Sequence, residues 1–100
     1  MELEIDAPVV LDTLRNLYKG ALRGSRVLDD IVRVHRITHE EAVEVLHFLL
    51  KNQLILNIEK NRINGDAVYK LTRRGEVVIE ERLSCLYHPN PKAGGVGGLI

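Results

Sequence analysis

The sequence predicts an α+β domain in which three helices lead into a β-hairpin and a fourth helix closes the chain. Three observations carry this. Apolar residues recur at helical spacing from Val9 to about Asn52. The pattern then becomes β-branched and partly alternating on both sides of an Asn64-Gly65 pair, the strongest short signal for a hairpin turn. Helical spacing returns from Glu76 to Tyr87.

Pro8 suits the first turn of a helix, where its fixed φ fits and no amide bond is lost. The first helix is expected from there to about Leu22. Val10, Leu14, Leu17 and Ala21 form one stripe, and Leu11, Tyr18 and Leu22 form a second beside it. One stripe suffices for a core, which leaves the second for another element or another subunit. Ser25 is a good N-cap for a second helix through about His35, with Val27, Leu28, Ile31 and Val32 inward and an Asp29–Arg33 pair outward. Ile37 falls in the turn that follows. The third helix opens on Thr38-His39-Glu40-Glu41, a capping box in which Thr38 and Glu41 satisfy each other's backbone amides. It runs to about Asn52 with Ala42, Val45, Leu46 and Leu49 inward.

Leu54 to Lys60 reads as the outgoing strand and AVYKLT as the returning one. The fourth helix, from about Glu76, turns Val78, Ile79, Leu83 and Leu86 inward. Residues 1–87 thus form the domain. Residues 88–100, with two prolines and four glycines, form a tail that cannot hold regular structure alone.

The 100 residues allow one hydrophobic core. The acidic N-terminus MELEID has no apolar run of the signal-peptide kind, and charged residues are too frequent for a membrane span. Cys85 is the only cysteine, so no internal disulfide forms and a cytoplasmic location is expected. The zero net charge hides strong segregation. Met1 to Asp12 carries four acids and no base, while Thr13 to Arg36 carries six bases against Asp29 and Asp30. Glu40, Glu41 and Glu44 follow, and then six bases between Lys51 and Gly75 against Glu59 and Asp66. Affinity for a polyanion must therefore come from local patches and not from a long-range field, which excludes a strongly basic nucleoid packer.

Four stretches together resemble the winged helix-turn-helix superfamily, from Pro8 to Tyr87. SRVLDDIVRVHRITHEEAVEVLHFLL has the spacing of the two-helix DNA-reading unit, with Ile37 as its buried turn residue. LLKNQLILNI is similar to the exit from the reading helix into the wing, although the family's usual Gly-Leu pair is Gln53-Leu54 here. NRINGD is the wing tip. YKLTRRGEVVIEE is similar to the strand-to-helix junction of small one-domain regulators of the MarR and PadR type, the archaeal-like kind in particular. The resemblance implies a three-helix core, a β-hairpin wing and a C-terminal helix. It also implies a sequence-specific or semi-specific double-stranded DNA-binding protein, a transcription regulator acting as a homodimer through its first and last helices. Leu11, Tyr18 and Leu22 with Ile79, Leu83 and Leu86 are the candidates for that interface. If DNA-bound, the protein would be nucleoid-associated.

Candidate contacts to DNA fall in three groups. Lys60, Arg62, Lys70, Arg73 and Arg74 cluster on the hairpin and its exit, where they could reach phosphates or simply keep the edge soluble. Arg26, Arg33 and Arg36, with Arg23, bracket the second helix, where they could hold backbone or pair with Asp29 and Asp30. His47 and Lys51 are the candidates on the third helix for groove contacts. That helix is acidic outside. Glu40 and Glu41 suit a helix N-terminus, but Glu44 beside His47 and Phe48 makes a face poorly suited to phosphate. Glu44, His47 and Phe48 could instead meet a protein partner, as in a winged-helix interaction module of a larger assembly, or Phe48 could flank the core beneath the wing. The four histidines and Cys85 offer two closely spaced ligands at most, so no metal is expected. No serine–histidine–acid set or phosphate-cradling glycine loop is present, so neither an enzyme nor a cofactor is expected.

Overall fold

The computed structural model describes residues 2–59 and 67–87, with side chains through residue 83. Lys60, Arg62, the Asn64-Gly65 tip, the side chain of Leu86 and the 88–100 tail lie outside the described residues. The element order is α1 (Pro8–Tyr18), β1 (Leu22–Arg23), α2 (Gly24–His35), α3 (His39–Lys51), β2 (Ile55–Asn57), β3 (Val68–Leu71) and α4 (Arg73–Tyr87). The strands form one antiparallel sheet in the order β1-β3-β2.

Pro8 does open α1, but the helix stops at Tyr18 and does not reach Leu22. Leu22 and Arg23 pair with Tyr69 and Val68 of β3, and this added strand outweighs the continuing helical pattern. The start of α2 also differs from expectation. Its N-cap is Arg23, with no side-chain bond, and Ser25 lies inside the helix. Gly24 fixes this start. Its amide donates to the Ala67 carbonyl at 2.8 Å, and a β carbon there would press to 3.1 Å on the Tyr69 ring. The expected Asp29–Arg33 pair is replaced by Asp30, which receives both Arg33 Nη2 at 2.8 Å and Arg26 Nε at 3.3 Å.

The turn after α2 bends through Arg36, which adopts the left-handed conformation at φ 55°. Thr38 then caps α3 as the sequence predicts. Its Oγ1 accepts the Glu41 amide at 3.0 Å, and its own amide donates to Glu41 Oε1 at 3.0 Å. Such a box contributes about 1 kcal/mol. Ala42, Val45, Leu46 and Leu49 are all buried, as their spacing requires. They join Val10, Leu14, Leu17, Val27, Ile31, Leu54, Ile55, Leu71 and Ile79 in one core, each large side chain contributing roughly 2 kcal/mol by burial. Thr13 is a buried polar side chain in this core, and its hydroxyl donates to the Val9 carbonyl at 2.7 Å.

The last helix begins three residues earlier than its apolar pattern suggests. Thr72 Oγ1 accepts the Gly75 amide at 3.0 Å while donating to the Gln53 carbonyl at 2.6 Å. One hydroxyl thus caps α4 and ties it to the end of α3. Gln53 itself is left-handed, at φ 59°.

Candidate nucleic-acid interface

α2 and α3 pack on each other around the Arg36–Thr38 turn, with Ile37 half-buried against the core. This packing uses one face of α3 and leaves Glu40, Glu44, His47 and Lys51 exposed on the other. Phe48 lies at the margin, half-buried and packed against the core, so it flanks the core and is not a free aromatic anchor. Beside α3 stands the hairpin stem. The Gly24–Ala67 bond holds the start of α2 to it, which sets Arg23 next to Val68.

Among the described residues the candidate cations are spread over several elements. Arg36 is exposed at the turn and Lys51 on the last turn of α3. Arg26 and Arg33 are exposed but converge on Asp30, so two cations share one carboxylate. Such exposed pairs are weak and can be exchanged for other anions. Arg73 and Arg74 sit in the first turn of α4 and not on a loop leaving the hairpin, with Arg73 Nη1 3.7 Å from Glu76 Oε1. Lys70 points away from the core side of the sheet, because it pairs in register with Leu56 while Tyr69 and Leu71 face inward. It borders a groove with Tyr18, Ala21 and Glu76.

The candidate dimer stripe is also dispersed. Ile79 is fully buried in the chain's own core and exposes no surface in the single chain. Leu11, Leu22 and Leu83 are half-buried against the same core, Leu22 now as part of the sheet. Tyr18 remains exposed, and its hydroxyl donates to Glu80 Oε2 at 2.9 Å, joining α1 to α4. That bond, with the charge of Glu80, raises the Tyr18 pKa above the ordinary phenol value. Arg82 makes a second clasp, with Nη2 2.8 Å from Asp6 Oδ1.

His35 Nε2 is shielded from solvent and lies 2.9 Å from Asp12 Oδ2 on α1, a close approach without hydrogen-bond alignment. Among the described residues no three His, Cys, Asp or Glu side chains converge as a metal site would require. No helix among the described residues is long and apolar enough to cross a membrane.

No protein-family model matches the chain, and no curated protein does. Among solved structures, a presumed transcriptional regulator of the MarR family from Enterococcus faecalis V583 aligns with a TM-score of 0.63. The alignment covers 84% of this chain and 73% of that one, at 24% identity. The chain has the winged-helix fold. In that fold α2 and α3 are the helix-turn-helix pair, β2 and β3 the stem of the wing, and α4 the helix that returns to α1. The short strand β1 completes the winged-helix sheet. Its two residues are too few to carry an alternating pattern in the sequence.

Proposed function

We propose that this winged helix binds double-stranded DNA and acts as a transcription regulator, with α3 entering the major groove and the wing beside it. One observation carries the reading: the packing of α2 on α3 spends one face of α3 on the core and leaves the opposite face open, next to the hairpin stem. The placement of Arg73 and Arg74 adds support. Two cations in the first turn of a helix oppose its dipole, an arrangement that a neighbouring phosphate would relieve. The MarR-family description of the aligned structure agrees with this reading.

In this reading the phosphate contacts come from Arg36, Arg73 and Arg74, from Arg26 and Arg33 when they exchange Asp30 for phosphate, and from Lys60 and Arg62 of the wing. His47 and Lys51 reach into the groove. A homodimer would set two α3 helices about 34 Å apart, one turn of DNA. The test is fluorescence anisotropy of a labelled duplex at low ionic strength. Salt-sensitive binding that weakens on charge reversal of Arg62, Arg73 and Arg74 supports the proposal, and its absence from any duplex at low salt sinks it.

The acidic outer face of α3 favours a second reading, contact with a basic protein partner through Glu44 and His47. In that case the same charge reversals leave partner capture unchanged and duplex binding is absent throughout.

A further inference from the structure

Glu40, Glu44, His47 and Lys51 share the exposed face of α3. At about 100° per residue they fall within an arc of about 60°, so they form one line along the helix. The line is ordered by charge, with the acids in its first half and His47 and Lys51 in its second. Arg36, exposed at the turn before the helix, places a cation at the other end as well. Glu40 sits in the first turn, where the helix dipole favours an acid, whereas Glu44 lies beyond that turn. The rise of about 1.5 Å per residue sets Glu44 about 6 Å along the axis from Glu40 and about 10 Å from Lys51. A major groove is about 12 Å wide. With α3 in that groove, the end cations come nearest the phosphate backbones, and Glu44 and His47 lie over the base edges.

We infer that Glu44 and His47 make the site selective for a C·G base pair, an inference that rests on the DNA-binding reading. A carboxylate only accepts hydrogen bonds. The donors that base edges show in the major groove are the amino groups of cytosine and adenine. The adenine amino group lies between two acceptors, its own N7 and the O4 of thymine, and both repel a carboxylate. The cytosine amino group has an acceptor on one side alone, the guanine O6, and a C–H on the other. Glu44 therefore matches cytosine better than adenine. His47 completes the pair. In either protonation state its ring carries an N–H donor, and guanine offers two adjacent acceptors, O6 and N7. Residues three apart on a helix stand about 5 Å from each other, so Glu44 and His47 can address one base pair or two in succession. The phosphate-facing arginines position the protein without reading sequence.

In vitro selection by the full chain from a pool of random duplexes, followed by fluorescence anisotropy of the selected sites, tests it. The wild type should select a site with a C·G pair whose replacement by A·T weakens binding about tenfold. Glutamine both donates and accepts, and it pairs with N6 and N7 of adenine. Glu44→Gln should therefore switch that one position to A·T and leave the other selected positions as they were. His47→Ala should relax the choice at the same pair or its neighbour. Circular dichroism melting verifies that each variant is folded. A selected site without a C·G requirement overturns the inference, as does one that folded Glu44→Gln leaves unchanged. Salt-sensitive binding of all duplexes alike overturns it too, while leaving the DNA-binding reading in place. Retention of no duplex overturns both and favours a basic protein partner for this face.

Discussion

The backbone of Gly75, in the first turn of α4, lies against the carbonyl of Leu54 so closely that a β carbon at position 75 would overlap its oxygen. The neighbour is backbone and cannot swing aside as a side chain would. Both segments are also fixed by Thr72, which bonds to the Gln53 carbonyl and the Gly75 amide. Gly75→Ala should therefore destabilise the fold by about 3 kcal/mol, the upper end of overpacking costs, although alanine is the better helix former. Urea denaturation followed by circular dichroism measures this. A neutral or stabilising Gly75→Ala would show that α4 can move off the Leu54 carbonyl.

This contact also shows where sequence reading stops. A glycine after two arginines reads as a turn, so the start of α4 is placed at Glu76. In the structure that glycine is the third residue of the helix, required by packing and not by a turn. The elements with long periodic patterns were legible: the four inward residues of α3, its capping box and the winged-helix order all stand as expected. Elements decided by tertiary pairing were not. β1 exists because β3 offers it a partner, and α1 stops short for the same reason. Among the candidate site residues, the exposure of His47 and Lys51 followed from the helical period, as did that of Glu44. The convergence of Arg26 and Arg33 on Asp30, the direction of Lys70 and the burial of Ile79 depend on neighbours distant in the chain or on register, which local spacing does not encode.

Arg36 occupies the left-handed conformation that ends α2, a position usually taken by glycine. A non-glycine residue there bears about 1 kcal/mol of backbone strain. Arg36→Gly should relieve part of it and leave stability unchanged or raised by up to roughly 1 kcal/mol. Under the DNA-binding proposal the same change removes a phosphate contact and lowers the salt slope of duplex binding by about one. Opposite movements of stability and affinity would identify a strained residue kept for its charge. A parallel loss of both would make Arg36 structural.

The Tyr18–Glu80 bond predicts an alkaline response. Tyr18 donates as a neutral phenol, and Glu80 raises its pKa through that bond and through its charge. A group whose pKa is higher in the folded state contributes stability that is complete below its unfolded value, near 10 for tyrosine. The contribution is lost as pH rises through the higher folded value. Ultraviolet difference titration should therefore show one phenol ionising after an ordinary tyrosine, and Tyr18→Phe should remove that late component. Stability at neutral pH should not vary with pH on account of this pair. A late component that persists in Tyr18→Phe would assign it to another tyrosine.

The acidic face of α3 gives the sharpest discrimination between a DNA groove and a protein surface. Glu40 and Glu44 are exposed on it. At about 10 Å from a phosphate in water, each carboxylate costs roughly 0.4 kcal/mol, a factor of about two in affinity. Glu40→Gln combined with Glu44→Gln should then tighten binding to an arbitrary duplex by about fourfold at low salt, with the gain shrinking as salt screens it. A carboxylate that accepts from a cytosine amino group behaves differently, because its removal weakens binding at one base pair. A selected operator would therefore lose affinity in Glu44→Gln while random duplex gains it. Should both duplexes bind the double variant as they bind the wild type, α3 lies away from DNA, and its acidic face is left for a protein partner.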